Sequence, residues 1–336
     1  MKNAAPLLLL PFALFSAAPA SFQVPPAHRA AADSVVKEIL ECRFENAIRL
    51  SDAAYSADAQ NPLAAVLHLV AIGMRDVDAD YMIDSAAFAR SFERAKTAVD
   101  RYESLNGPGS YTAMLRGFTL GIHASFHLKN NSYLSAAGTG LDAIKMMKEA
   151  REINPSNTEV NFFLGLYDYA RADLKKRLWW VLFWFPGDKQ SGIRQLEEGM
   201  NSAKLTNSAA ALALSDIYLQ EKQPEKSLAI ITRLKSELPN SRFLLWAEVK
   251  YYEDQKMFSQ AAQTYGKLAD AYESDSYGAY NGAVARNKQA HMHDLANEKV
   301  LAANTCKRLI ERGGGTDKRA RAIIKDTEKL LERLGR

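Results

Sequence analysis

Small side chains recur along this chain at a nearly fixed interval, and larger side chains follow them at helical spacing. The series has steps of 48, 48, 49, 35, 34 and 35 residues and consists of Ala47, Ala95, Ala143, Gly192, Ser227, Ala261 and Ala296. The residues four positions later are Ser51, Val99, Met147, Leu196, Ile231, Tyr265 and Val300. Self-similarity at such a period is typical of a solenoid, because each unit buries its apolar face against the next one.

Apolar positions at helical spacing, punctuated by proline and glycine, predict that each unit is a pair of helices. The predicted pairs are 32–41 with 44–57, 63–74 with 85–105, 111–128 with 135–153, 160–174 with 189–204, 209–221 with 224–237, 243–255 with 258–272, and 277–290 with 294–312. A final amphipathic helix over 316–334 has the polar outer face that the last unit of a stack needs. We therefore predict an all-α fold, an elongated α-solenoid of about seven antiparallel helix hairpins with a C-terminal capping helix.

The same pattern divides the chain into five segments. Residues 1–20 are predicted to be a signal peptide, 21–155 three elongated repeats, and 156–207 a repeat that carries an aromatic insertion. Residues 208–312 are predicted to be regular repeats and 313–336 the capping helix.

The first twenty residues have the composition of a processing segment. Lys2 gives a positive start, residues 4–15 form a short apolar run, and Ala18-Pro19-Ala20 fits the small-x-small cleavage rule. The run is shorter than the roughly 20 apolar residues of a membrane-spanning helix, although an uncleaved N-terminal anchor is the alternative. We expect cleavage after Ala20 and an exported protein that is periplasmic or associated with the cell envelope.

The 34-residue units resemble tetratricopeptide repeats. In the fifth unit the family's positions are held by Leu214, Ser215, Tyr218, Ser227, Ile231, Leu234 and Pro239, and in the sixth by Tyr252, Phe258, Ala261, Tyr265 and Leu268. The match departs from the family at Ala211 and Leu245, where it has a large aromatic residue, and at Glu273, where it has proline. The resemblance implies a non-catalytic scaffold that binds protein partners on a concave face built from the first helices.

A narrower resemblance covers residues 159–200. The motif Leu164-Gly165-Leu166-Tyr167-Asp168-Tyr169, followed by Phe185-Pro186-Gly187-Asp188 before Gly192, is similar to the group related to tetratricopeptide repeat protein 39. In that group a similar segment separates the two helices of a repeat.

The aromatic insertion in the fourth unit is the most unusual local feature of the sequence. Residues 178–185 read LWWVLFWF and follow the basic triplet Lys175, Lys176 and Arg177; the aromatic members are Trp179, Trp180, Phe183, Trp184 and Phe185. Eight apolar residues are too few to cross a bilayer. Three interpretations follow: the insertion packs on the inner surface of the solenoid, contacts a protein partner, or lies in a membrane interface with the triplet on lipid headgroups.

Charge and cysteine usage narrow the class of protein further. The formal net charge is +4, and ten basic against five acidic residues from Cys306 onward leave the rest of the chain close to neutral. A modest basic tail on such a body is not typical of a nucleic-acid-binding protein, which concentrates positive charge on one face. Cys42 and Cys306 lie at opposite ends of the predicted solenoid, so we expect two buried free thiols and no disulfide.

Two histidine groups have spacings that could serve a metal, and neither is complete. His123 and His127 lie four residues apart on a predicted helix, without a third ligand in view. His291, His293 and Asp294 form a short polar cluster in a predicted turn, where Asp294 is expected to cap the next helix. We predict no metal, no cofactor and no enzymatic activity. The sequence favours an exported scaffold for protein partners, with a peripheral membrane component held by residues 178–185 as the alternative.

The repeat register makes a direct prediction about packing. Changing Ala261 to leucine should overpack a helix crossing and lower the free energy of unfolding by about 1–3 kcal/mol. A thermal melt measures the loss, and full tolerance of the larger side chain would contradict the register.

Overall fold

The computed structural model describes residues 22–177, 188–313 and 317–335, and within these ranges the chain is helical without a β-strand. The first seven helices are α1 (Pro26–Leu40), α2 (Phe44–Ala57), α3 (Pro62–Ala79), α4 (Ser85–Asn106), α5 (Ser110–Lys129), α6 (Tyr133–Ile153) and α7 (Asn161–Arg177), the last preceded by a 3₁₀ turn (Thr158–Val160). The others are α8 (Lys189–Ser202), α9 (Asn207–Gln220), α10 (Pro224–Glu237), α11 (Arg242–Asp254), α12 (Phe258–Glu273), α13 (Ala279–Leu295), α14 (Lys299–Arg312) and α15 (Lys318–Leu334).

Consecutive helices pair into antiparallel hairpins, and each hairpin packs on the next. The odd-numbered helices α1 to α13 are the first helices of the hairpins, and α2 to α14 are the second. The final helix α15 packs against α13 and α14. The prediction of an all-α solenoid of stacked hairpins is confirmed.

The fourth residue of every second helix is buried, and this position carries most of the small residues that define the repeat. The seven residues are Ala47, Phe88, Ala136, Gly192, Ser227, Ala261 and Ala302. At Gly192 the packing is close enough that an added Cβ would lie 2.7 Å from the backbone oxygen of Gly165. In the longer helices α4 and α6, Ala95 and Ala143 are also buried, two turns further along. Small side chains therefore fall where helices approach each other most closely.

The predicted register is wrong in the seventh hairpin. Helix α13 continues to Leu295, so Ala296 ends that helix instead of lying inside the next one. Ala302 takes the buried position in α14, and Val300 is 73% exposed. The turn is made by Asn297, whose φ is 60°, and asparagine tolerates the left-handed conformation better than most residues. A second difference is that α1 begins at Pro26, ahead of the start predicted at residue 32.

Five hairpins share one turn geometry. The residue two positions before the second helix has a positive φ, and these residues are Cys42, Asn131, Lys222, Lys256 and Asn297. In each turn, the residue that follows the positive-φ residue donates its backbone N–H to the carbonyl five residues earlier. Arg43 donates to Glu38 in this way, and Met257 donates to Tyr252. This Schellman arrangement ends the first helix and sets the angle at which the second one leaves.

The solenoid is not the elongated rod that the repeat pattern predicted, because its first two hairpins contact its last ones. Buried Glu41, in the α1–α2 turn, accepts a hydrogen bond of 3.1 Å from the backbone N–H of Asn240. The rings of Phe44 and Phe243 meet edge to face with their centroids 6.4 Å apart. The turn of the first hairpin therefore packs against the start of α11, and the stack curls back on itself.

A buried ion pair lies at the centre of this closing contact. Asp78, at the end of α3, accepts hydrogen bonds from the Arg242 guanidinium at the start of α11, the shorter at 2.6 Å. The same carboxylate accepts from the Tyr272 hydroxyl at 2.9 Å, and the backbone carbonyl of Asp78 accepts from Asn281 at 2.7 Å. Helices α3, α11, α12 and α13 are thus joined by one network, which we call the clasp.

Removing one charge of the clasp should lower the free energy of unfolding far more than removing a surface ion pair does. We expect Arg242→Ala to lower the free energy of unfolding by about 3–5 kcal/mol, because it leaves Asp78 buried without its counter-ion. The matched control is Lys250→Ala, which removes an exposed pair with Asp216 and should cost less than about 1 kcal/mol. Urea titration measures both losses, and equal losses would contradict a central role for the clasp.

Candidate interaction surface

The α5–α6 hairpin extends past the shorter hairpins that follow it, while the α3–α4 hairpin before it is of similar length. Helices α5 and α6 have 20 and 21 residues, whereas α9 and α10 of the next-but-one hairpin have 14 each. At about 1.5 Å per residue, the difference extends the hairpin by about 10 Å. The extra turns lie at the end that carries the α5–α6 turn, since the other end is buried around Ser110, Thr112 and Ala150.

Large apolar side chains are exposed on this protruding end. Leu134 is 91% exposed, Tyr133 66%, Leu141 56% and Leu128 52%. We refer to these four residues as the apolar edge. Between them Gly138 faces open space, since an added Cβ would meet no atom within 4 Å. Clustered exposed apolar residues usually mark a surface that contacts another molecule.

Aromatic and histidine rings hold the end of α5 in place from the α4 side. Phe126 stacks on Phe88 with ring centroids 4.5 Å apart, and His123 lies 4.0 Å from Phe92. The rings of His123 and His127 are 4.4 Å apart, and burial together with His127 lowers the pKa of His123. Among the described residues no group of three His, Cys, Asp or Glu side chains could hold a metal ion.

Helix α7 ends near the apolar edge. Phe118 of α5 and Phe163 of α7 have ring centroids 5.2 Å apart, and Lys148 of α6 lies over the Tyr167 ring at 5.5 Å. Because α5 and α7 are both first helices, they run in the same direction, and α7 continues further past this contact than α5 does. The C-terminal end of α7 therefore reaches the edge from which the α5–α6 turn protrudes.

The predicted contact residues divide between the end of α7 and a stretch without described structure. Lys175, Lys176 and Arg177 form the last turn of α7. Trp179, Trp180, Phe183, Trp184 and Phe185 lie outside the described residues, within 178–187. The chain enters this insertion from the last turn of α7 and resumes at Asp188, which caps α8.

The structure places the remaining candidate residues in packing roles. His293 is in α13 and forms a 2.6 Å hydrogen bond with Glu298, while Asp294 pairs with Arg333. Asp294 therefore does not cap α14, contrary to the prediction, because α13 extends past it. Cys42 and Cys306 are buried free thiols, as predicted, and burial raises their pKa values to about 12 and 11.

A polar groove on the other side of α4 was not predicted. It has a volume of about 540 Å³, its floor is α3, and its walls are α2 and α4. Arg75, Arg90 and Arg94 line it together with Glu45 and Asp84, so charges of both signs face the opening. No sequence pattern marked this groove, because its residues come from three helices and the α3–α4 loop, which only packing brings together.

His68 joins the three helices that form the groove. Its Nδ1 lies 2.8 Å from the Ser91 hydroxyl of α4, and its Nε2 lies 3.2 Å from the Asp52 carboxylate of α2. Asp52 also accepts a 2.8 Å hydrogen bond from Arg94. Burial, aided by the Arg94 charge, lowers the pKa of His68 to about 4. The imidazole is therefore neutral at pH 7 and bridges the helices as a hydrogen-bonding group.

Comparison with known proteins finds similar chains among the solved structures. No family model matches the chain, and no curated protein matches it. The C-terminal part of a TPR repeat-containing protein from Cytophaga hutchinsonii is similar in structure, with 15% identity and a TM-score of 0.44. The similarity covers 88% of this chain and 99% of that one.

In residues 22–177, 188–313 and 317–335, no helix is both long enough and apolar enough to cross a membrane.

The low pKa of His68 makes stability depend on pH. The folded state favours the neutral ring. Protonation of His68 therefore leaves the free energy of unfolding unchanged above about pH 6.5 and lowers it as the pH falls towards 4. We expect the wild type to lose about 3 kcal/mol to this group by pH 4, whereas His68→Gln should remove that part of the slope. Denaturation at a series of pH values measures it, with His291→Gln on the half-exposed side of α13 as control. An unchanged slope in His68→Gln would contradict the assignment.

Proposed function

We propose that this protein is an exported, non-catalytic scaffold of the tetratricopeptide type that binds a protein partner at the cell envelope. The observation that carries the proposal is the apolar edge, four exposed apolar residues on a protruding hairpin that no described residue covers. Stacked helix hairpins supply a rigid frame for such a surface. The basic and aromatic residues at 175–185, which begin in the last turn of α7, are proposed as a further part of the contact surface.

The concave face remains part of the proposal as a second contact region. Some of the first helices, such as α3 and α9, are buried on several sides, so little of their surface is free. The protruding edge offers more exposed apolar area to a partner. We therefore propose it as the main contact and the concave face as the lesser one.

The proposal that this protein is exported rests on the N-terminal sequence alone. Lys2, the apolar run 4–15 and the Ala18-Pro19-Ala20 site support cleavage after Ala20. The narrower relationship, to the group related to tetratricopeptide repeat protein 39, is likewise proposed from the motif at 164–169 and from the insertion that follows it.

A peripheral membrane component is the alternative function. It is favoured by the composition of the aromatic insertion, which follows the last turn of α7 in the chain. Tryptophan and a neighbouring basic triplet suit the interface between lipid tails and headgroups.

Site-specific photo-crosslinking in the native envelope tests the scaffold proposal. A photo-reactive residue at Leu141 or at Trp180 should give a discrete protein adduct, because both positions belong to the proposed contact surface. The same residue at Leu228, an exposed position on α10, serves as the control and should give none.

Two results would argue against the scaffold proposal. One is the absence of a protein adduct at both contact positions, with the protein folded by its thermal melt. The other is a pattern of adducts at Leu228 that equals the pattern at Leu141, which would indicate random collisions.

A further inference from the structure

The first described residues of the chain, 22–25, form an extended segment that we call the strap. Phe22 is half-buried, Gln23 is exposed, and Val24 is buried with 7% of its surface accessible. Val24 belongs to the apolar core that the first four hairpins share, and Phe22 packs against that core. An extended chain shows this alternation where a surface buries every second side chain. The strap therefore contacts the solenoid as a bound peptide would.

The strap joins the first hairpin to the start of the fourth. The backbone N–H of Phe22 donates a 2.5 Å hydrogen bond to Oγ of Ser156, which lies between α6 and α7. The Ser156 hydroxyl itself donates to Oδ1 of Asn154 at 2.7 Å, so its acceptor lone pairs are held in place. Further along the chain, His28 Nδ1 lies 3.1 Å from the Tyr111 hydroxyl at the start of α5. The strap thus lies near the end of α5 that is opposite the apolar edge.

Helix α1 begins without help from the strap's side chains. Pro26 is its first residue, and a proline there lacks only an N–H that would have no partner within the helix. The carbonyl of Pro25 accepts hydrogen bonds from the backbone N–H groups of His28 and Arg29, at 2.9 and 3.1 Å. A residue before a proline is also restricted to an extended conformation, which holds Val24 ready for binding at a small entropic cost. Release of the strap's apolar side chains should therefore leave α1 intact.

We propose that the strap fills a binding site for extended peptides and competes there with a peptide from a partner protein. The ligand class is an aromatic residue, one polar residue, a β-branched aliphatic residue and a proline, in that order. Ser156 accepts from the backbone N–H of the aromatic residue, and the core takes the two apolar side chains, which is how grooves recognise extended peptides. The proposal does not depend on the scaffold role, because this site and the apolar edge lie at opposite ends of α5.

Fluorescence polarisation of a labelled peptide with the sequence SFQVPP, residues 21–26, tests the proposal. The protein is the chain from Ser21 onward, either unaltered or with Val24→Ser, which removes the buried anchor of the strap. A tethered segment acts at an effective concentration in the millimolar range, so the unaltered protein should bind the peptide at least about tenfold more weakly than Val24→Ser does. Adding Ser156→Ala to Val24→Ser should weaken binding again, since the acceptor of the peptide N–H is lost.

The matched control is Gln23→Ser, because Gln23 is exposed within the same segment. This variant should exclude the peptide as the unaltered protein does. A second peptide, SSQSPP, lacks both apolar side chains and should not bind. Thermal melts check that each variant folds. Val24→Ala makes a smaller change, which keeps the test decisive if Val24→Ser is unstable, and it should bind the peptide with intermediate affinity.

Three outcomes would overturn the proposal. The folded Val24 variants could fail to bind the peptide. The unaltered protein could bind it as tightly as Val24→Ser does, or SSQSPP could bind as SFQVPP does, and either result would place the peptide elsewhere on the surface. Protein adducts at Leu141 would be unaffected by any of these results, so the scaffold proposal is judged separately.

Discussion

The shape of this protein depends on the buried ion pair between Asp78 and Arg242. Each unit in a stack of hairpins contacts only its neighbours, so stacking alone does not bring the first and last hairpins of a solenoid together. Here the end of α3 and the start of α11 bring opposite charges together out of water. Burying them is costly unless their hydrogen bonds are satisfied, and Tyr272 and Asp275 complete those bonds. The clasp thus fixes how far the solenoid curls.

Closure also determines which surface remains free. The turns of the first two hairpins lie against α11, α13 and the start of α15, as the contact of Arg319 with Asp80 shows. The α5–α6 turn lies further along the same edge, beside the α3–α4 loop, where Lys129 pairs with Asp80. Its apolar residues stay exposed. The proposed scaffold role uses this exposed surface.

Local sequence patterns predicted most of the helices, but they did not predict contacts between residues that are far apart in the sequence. The small residues at 47, 192, 227 and 261 marked helix crossings because the period of the repeat fixes their neighbours. The register failed in the seventh hairpin, where Asn297 turns the chain without glycine or proline. The clasp could not be foreseen, because Asp78 and Arg242 are far apart in sequence and each looks like an ordinary surface charge.

The candidate site was predictable only in part. The aromatic run at 178–185 is visible in composition, whereas the exposure of Leu134 depends on how far α6 extends beyond its neighbours. No sequence pattern indicated the groove around His68, because its three helices are brought together only by packing.

A distance measurement across the closing contact tests the central claim most directly. Cysteines that replace Asn46 and Ser276, which lie on opposite sides of the contact and are both exposed, can carry spin labels. The native thiols are buried and have raised pKa values, so they should react slowly. The closed solenoid predicts one narrow distribution at short distance, which broadens and lengthens in Arg242→Ala. A broad distribution at long distance in the unaltered background would show an open rod and contradict the account.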